Sequence, residues 1–276
     1  MMMFPSRPWL LLLTALLVAA CAPDEPAQPD SPPPSQATER WSGFVSDVRM
    51  QWSAEPGVDL LTGVAVPLRA YFESMQLVRY TGDEADVYPG FTRAVLPSDP
   101  DGIPSALDRW PNTAIPLDKP LVGTIRSHIL RVDQSDREVT AIVCRYDYAA
   151  AEPDDDGQYV VPGQWRNQRD PNSGISAYLV TMLAPEHPPK QPLPPQKGPE
   201  PAPAIDVFGN WTITGYLNWF WVYQAPEWPN GEDDLNACID RAPDPPEHRQ
   251  HIIVGPHPRE TFPTEPAWPG WPAQPN

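Results

Sequence analysis

The chain has 276 residues, 36 of them acidic and 19 basic, and its net charge of −17 argues against nucleic acid as a partner. The same balance disfavours electrostatic adhesion to anionic lipid headgroups. Proline is unusually frequent, with 41 residues, and its uneven distribution separates segments that cannot bury a core from one that can.

Residues 1–20 have the pattern of a secretory signal peptide. Arg7 precedes an apolar run that begins at Trp9, and the small pair Ala19 and Ala20 ends it. The run is shorter than the roughly 20 apolar residues that a membrane-spanning helix needs. We therefore expect this segment to be removed on export.

The sequence Val18-Ala19-Ala20-Cys21 resembles the lipobox of bacterial lipoproteins. In that family the cysteine thiol receives a diacylglyceryl group and becomes the new N-terminus. The resemblance implies acyl chains such as palmitate on Cys21, and a lipid anchor at the extracytoplasmic face of the cell membrane. Ordinary cleavage of a secreted protein is the alternative, because Ala20-Cys21-Ala22 also fits the Ala-x-Ala pattern.

Composition divides the rest of the chain. From residue 22 to residue 38 no apolar side chain is larger than alanine or proline, so this stretch is expected to be an extended tether. Apolar residues then recur in numbers sufficient for one domain. The predicted organisation is a signal peptide (1–20), a lipid-attachment cysteine with a Pro-rich tether (21–38), a single α+β domain (39–241) and a Pro/Trp-rich C-terminal tail (242–276).

Two helices are predicted early in the domain. One helical face is formed by Val64, Leu68, Tyr71, Phe72, Met75 and Val78. Pro67 suits the first turn of this helix and Gly82 suits its C-terminal stop. A second, shorter helix is predicted from Asp83 to Ala94, with acidic residues in its first turn.

Four strands are predicted later, rich in β-branched and aromatic residues. Their ranges are Gly123 to Asp133, Glu138 to Tyr148, Ile175 to Leu183, and Val207 to Leu217. The first two form a hairpin around residues 134–137, and a proline arm (185–203) precedes the fourth. The predicted fold class is α+β, with N-terminal helices packed on a curved, mainly antiparallel sheet of about four strands.

This element order resembles the cone-shaped fold of the nuclear-transport-factor-2-like superfamily, which implies a fold but no activity. A second resemblance covers nearly the whole mature chain. The segments starting at Ser53 (SAEPGVDLLT), Asp206 (DVFGNW) and Ala242 (APDPPE) are similar to exported lipoproteins of mycobacteria and related actinobacteria. This second resemblance implies the location of the protein.

Once Cys21 is lipidated, Cys144 and Cys238 remain as an even pair in an oxidising location. Cys144 lies in the second hairpin strand, and Cys238 lies on the apolar side of a short predicted helix. We therefore predict a disulfide between them. Two buried thiols that pack as small apolar groups are the alternative.

The segment from Tyr216 to Tyr223 is dense in large rings. Tyr216, Trp219, Trp221 and Tyr223 are candidate ligand-binding residues, because rings can line a cavity for an apolar or sugar ligand. The last three share one side if the segment is an extended strand. A core strand with its tryptophans packed inside is the alternative interpretation.

Other chemistry has little support in the sequence. His248, His251 and His257 are a weak metal candidate, since the prolines around them oppose the helix that would bring two imidazoles together. No nucleophile motif, phosphate-binding loop or calcium loop is present. No catalytic residue, metal or cofactor is therefore predicted.

We interpret the chain as a lipid-anchored protein of the cell envelope that acts as a non-catalytic binding or interaction module. Its expected partners are the membrane, through the anchor, and either an envelope protein or an apolar or sugar ligand. One alternative is an envelope enzyme that uses an interior cavity of a cone-like fold. Another is a structural spacer without a small ligand.

Overall fold

A computed structural model of the protein describes residues 39–163, 167, 169–187 and 189–273. The predicted signal peptide, Cys21 and the predicted tether lie outside these residues. None of the helices in the described ranges is both long and apolar enough to cross a membrane.

Seven strands and five α-helices are present in the described part of the chain. The strands are β1 (Asp47–Ala54), β2 (Val122–Ser135), β3 (Glu138–Tyr146), β4 (Ala150–Pro153), β5 (Tyr159–Val160), β6 (Ile175–Leu183) and β7 (Thr212–Leu217). The helices are α1 (Ala65–Thr81), α2 (Phe91–Ala94), α3 (Pro104–Leu107), α4 (Gly231–Asp240) and α5 (Pro246–Val254).

The strands form one curled sheet in the order β5-β4-β2-β3-β6-β7, with β1 added to β2 in parallel and the other pairs antiparallel. The predicted α+β class is confirmed, but the prediction of about four strands is wrong. Strand β1 escaped notice, although alternate side chains at Val48, Met50 and Trp52 are buried. Such alternation is the signature of a strand with one covered face.

The hairpin and β6 agree closely with the sequence. Strands β2 and β3 pair as predicted, but their loop is only Asp136 and Arg137, because Ser135 pairs directly with Glu138. Asp136 has a φ of +54°, a left-handed conformation that aspartate tolerates in tight turns. The predicted strand from Val207 forms only at its second half, from Thr212 to Leu217.

Helix α1 confirms the predicted helix. It ends at Gly82, whose φ of +72° and amide bond to the Val78 carbonyl form a left-handed cap. The predicted continuous helix over 83–94 is wrong: a single 3-10 turn is followed by the separate helix α2. The break falls at Pro89 and Gly90, because a residue before proline avoids helical geometry and Gly90 has a φ of +90°.

Each face of the sheet covers its own core. On one face α1 packs through Tyr71 and Phe72 against strand residues such as Tyr178. On the opposite face α4 and α5 cover a second core that contains Cys144 and Cys238. These two cysteines form a disulfide with a Cα–Cα distance of 5.3 Å, so the predicted bridge is present in the structure.

A buried carboxylate joins the first core to both ends of the domain. Glu73 of α1 accepts hydrogen bonds from the indole nitrogens of Trp52 and Trp271, each at 2.7 Å, and from the Tyr88 hydroxyl at 3.0 Å. Burial raises the pKa of Glu73, while the nearby Arg69 guanidinium and the three donors oppose that shift. The guanidinium also lies 4.3 Å from the Trp271 ring centre.

The predicted tail contributes directly to this core. Trp271 is only 1% exposed, so the tail docks onto the domain through this residue, whereas Trp268 is 49% exposed. The Trp268 backbone exchanges hydrogen bonds with Met50 and Trp52 of β1. The tail therefore lies along an edge of the sheet and places one indole inside.

Candidate functional site

The four candidate aromatic residues do not share one surface. The chain leaves the sheet after Leu217, and Trp219 and Trp221 lie in a 3-10 turn that begins where the Asn218 side chain accepts a bond from the Phe220 amide. Tyr216 is buried in the core, while Tyr223 is 69% exposed. The prediction that Trp219, Trp221 and Tyr223 lie on one side of a strand is therefore wrong.

Two of those residues, Tyr216 and Trp219, line a cavity of about 260 Å³ beside α1. Its wall is formed by residues from α1, from the segment 108–115, from the middle of β6, and from the end of β7 with the turn that follows it. The lining comprises Met75, Gln76, Arg79, Asp108, Trp110, Pro111, Asn112, Ile115, Tyr178, Tyr216, Asn218 and Trp219. We treat this cavity as the candidate site and call it the α1 cavity.

The aromatic walls of the α1 cavity are held firmly on one side. Tyr178 and Tyr216 stack with ring centres 5.8 Å apart, and both rings are almost fully buried. Burial raises the pKa of each, so both hydroxyls are neutral at physiological pH. Trp219, by contrast, is 56% exposed and leaves most of its ring available to a bound molecule.

A buried pair supports Tyr178 from behind. The Arg145 guanidinium lies 4.8 Å from the Tyr178 ring centre, and its Nε donates to Asp147 at 2.9 Å. Burial raises the pKa of Asp147, and Arg145 opposes that shift. The pair is absent from the cavity lining, so it fixes an aromatic wall without facing the cavity.

Gln76 gives the clearest indication of a ligand, because one of its polar atoms is buried without a hydrogen-bond partner among the described residues. The residue is 2% exposed, and its Oε1 has no hydrogen-bond partner among the described residues. A buried acceptor without a donor costs roughly 1 to 3 kcal/mol, so native structures seldom leave one unpaired. Gln76 lines the α1 cavity, but its Oε1 is itself closed to solvent, so a molecule in the cavity supplies the donor when the amide group turns toward it.

Asp108 is the carboxylate of the cavity lining. Its Oδ2 accepts from the Asn218 amide at 3.2 Å and from the Trp221 indole at 3.4 Å. These contacts place Trp221 behind Asp108. Trp221 does not line the cavity, so it contributes to the site only by positioning Asp108. Asn112 is held by a turn in which its Oδ1 accepts from the Ala114 amide at 2.8 Å.

Two further concave regions have different chemistry. The larger, of about 820 Å³, lies between the start of α1, the proline arm and the turn at 206–211, and its walls are mainly apolar. The other, of about 550 Å³, lies where α4 meets α5. The α1 cavity is smaller than either, but it alone combines candidate aromatic residues with an unpaired buried polar atom among the described residues.

Two of the three candidate histidines, His251 and His257, lie close together, with ring centres 4.7 Å apart. His248 and His251 lie in α5, so the expectation that prolines oppose a helix here is wrong; Pro246 occupies the first turn, where proline is tolerated. The His257 Nε2 lies 2.8 Å from the His251 carbonyl oxygen. Within the described residues no group of three or more His, Cys, Asp or Glu side chains is arranged to hold a metal.

Comparison of the chain with protein-family models, with curated proteins and with solved structures finds no match. The function is therefore argued from the α1 cavity itself. Sequence patterns identified Tyr216 and Trp219 but missed Gln76, Tyr178 and Asp108. The apolar periodicity of α1 conceals Gln76, because a single polar residue within a buried face is a weak signal.

Proposed function

We propose that the protein is a lipid-anchored binding module of the cell envelope that holds one small, ring-shaped polar ligand of carbohydrate type in the α1 cavity. The unpaired Oε1 of buried Gln76 carries this proposal, because it requires a donor that the described residues do not provide. A sugar hydroxyl is such a donor.

The other walls support the same ligand class. Sugars present apolar C–H faces and a rim of hydroxyls, and the cavity offers the Trp219 ring together with the amides of Asn112 and Asn218. Ligand cavities commonly have volumes of roughly 300 to 1,000 Å³. A cavity of about 260 Å³ therefore suits a single ring rather than a chain of sugars.

Binding is favoured over catalysis by the environment of Asp108. General acid–base hydrolysis of a sugar ordinarily uses two carboxyl groups on opposite sides of the bond that is cleaved. Among the lining residues Asp108 is the one carboxylate, and it already accepts two hydrogen bonds. The cavity thus offers recognition groups without a second acid.

The binding proposal is tested by calorimetric titration of the full chain with the methyl glycosides of glucose, galactose and xylose. Trp219→Ala is expected to weaken binding by about tenfold, a loss of about 1.4 kcal/mol, which is typical of truncating an aromatic residue that contacts the ligand closely. Tyr223→Ala is a matched control, because Tyr223 is 69% exposed and does not line the cavity. Failure of the wild type to bind any of the three sugars, or equal losses in both variants, contradicts the proposal.

The anchor is a separate part of the proposal, supported by the signal pattern and the position of Cys21 directly after it. Mass spectrometry of the mature N-terminus is the test. We expect an N-terminal peptide that begins at Cys21 with acyl chains attached. An unmodified peptide that begins at Ala22 or later rules out the anchor and leaves the binding proposal unaffected.

A further inference from the structure

Two residues of α1 face the α1 cavity from the same side of the helix. Gln76 and Arg79 are three positions apart, a spacing that places side chains one above the other. Gln76 is buried, whereas Arg79 lies in the last turn and is partly exposed. The cavity therefore has an uncharged acceptor deep in its wall and a cation nearer its opening.

Arg79 is unusual in a chain with 36 acidic residues. Within the described part of the chain, its side chain forms no hydrogen bond or ion pair. The charge of Arg79 opposes the rise in the pKa of the buried Asp147 carboxylate, but Asp147 forms its ion pair with Arg145. Asp108, on the cavity wall, accepts its bonds from Asn218 and Trp221.

We propose that the carbohydrate-type ligand is acidic, and that its carboxylate pairs with Arg79 while its ring lies against Tyr216 and Trp219. This inference rests on the proposed function. A guanidinium presents a planar fork of donors that matches the two oxygens of a carboxylate, and such charge-assisted pairs are about twice as strong as neutral hydrogen bonds.

The overall acidity of the protein does not prevent this recognition. At an ionic strength of about 0.15 M, exposed charges are screened beyond about 8 Å. An anion inside the cavity therefore responds mainly to the charges that line it. Arg79 and Asp108 bring one charge of each sign to the lining, but only Arg79 has unused hydrogen-bond donors, so the position for a negative group is beside Arg79 and away from Asp108.

The test compares two ligands that differ in one group, methyl glucuronide and methyl glucoside. Titrated into the full wild-type chain at neutral pH, methyl glucuronide is expected to bind about tenfold more tightly. Arg79→Gln is expected to abolish this preference, because it weakens the binding of methyl glucuronide by about tenfold more than the binding of methyl glucoside. Arg137→Gln is the matched control, because Arg137 is exposed at the β2–β3 turn and outside the cavity.

Each outcome separates the two proposals. If the wild type binds neither sugar, the proposed function fails and this inference fails with it. If the wild type binds methyl glucoside as tightly as methyl glucuronide, or if Arg79→Gln keeps the preference, Arg79 does not recognise the carboxylate of the ligand. In that case only this inference fails. Arg79→Lys keeps the charge but loses the fork, and we expect an intermediate preference.

Discussion

Glu73 shows how one side chain can hold distant parts of a chain together. Its two oxygens receive hydrogen bonds from Trp52 on β1, Trp271 on the tail, and Tyr88 between α1 and α2. Tyr88 in turn accepts from the Trp41 indole at 2.9 Å. A carboxylate suits this position because it offers only acceptors to three converging donors.

Glu73→Gln tests this arrangement. The amide nitrogen of glutamine must face at least one of the three donors, so a buried donor loses its acceptor and the free energy of unfolding is expected to fall by about 2 to 4 kcal/mol. Urea unfolding of both proteins measures the change. Glu138→Gln at the exposed hairpin is the control, and a loss below about 0.5 kcal/mol for Glu73→Gln would show that the cluster contributes little.

His128 provides a pH-dependent test at the same scale. Burial lowers the pKa of its imidazole and Glu55 opposes the shift, while the Nδ1 lies 2.9 Å from the Ser53 hydroxyl. The unfolded imidazole titrates near pH 6.5 and therefore binds more protons than the folded one just below that pH. The free energy of unfolding should accordingly rise with pH through this window.

We expect His128→Gln to remove this part of the pH dependence. Urea unfolding at half-unit steps from pH 5 to pH 7.5 measures the difference between the wild type and the variant. Groups that do not contact His128 contribute equally to both proteins and cancel in that difference, and Glu55, which does contact it, has a lowered pKa and stays ionised in this range. A difference that stays constant across the range contradicts the assignment to His128.

At the scale of elements, local patterns predicted what local contacts determine. Helix α1, the β2–β3 hairpin and β6 each follow from side-chain periodicity and nearby turn residues. Strand β1 pairs with β2 in a register that joins Asp47 to Val122, so its partner lies far along the chain. The curled seven-stranded sheet could not be derived without that distant pairing.

The disulfide links strand β3 to helix α4 across the second core, although these two elements lie far apart along the chain. Closing a loop between residues 94 positions apart is expected to stabilise the folded state by about 4 to 5 kcal/mol on the loop-entropy argument. The Cys144→Ala/Cys238→Ala variant should lose a comparable free energy of unfolding, as measured in urea. Wild-type protein with the bridge reduced is the control, because it lacks the crosslink but keeps both sulfur atoms. If the unfolding midpoint is unchanged in both the double variant and the reduced wild type, the disulfide does not stabilise the folded state.

At the scale of the whole molecule, the C-terminal region is part of the core. Trp271→Ala is expected to reduce the free energy of unfolding by about 3 to 5 kcal/mol, because it empties a buried site and leaves Glu73 short of a donor. Trp268→Ala, at a half-exposed indole in the same segment, should cost about 1 kcal/mol or less. Equal effects of the two changes in urea unfolding would contradict the docking of the tail through Trp271.

The α1 cavity also depends on the assembled molecule. The sequence drew attention to Tyr216 and Trp219 because they lie in one dense aromatic segment. Gln76 and Tyr178 come from elements about a hundred positions apart and meet only after the sheet has curled around α1. The density of aromatic rings can therefore be read from the sequence, but the polar groups that select a ligand are brought together only by the fold.

The most direct measurement is a crystal structure of the protein grown with methyl glucoside. We expect the sugar ring in the α1 cavity, against Tyr216 and Trp219, with a hydroxyl about 3 Å from the Gln76 Oε1. The opposite result is a cavity without sugar at a concentration that saturates binding in solution, or a sugar bound only at another surface. That result would show that the α1 cavity is not the site of recognition.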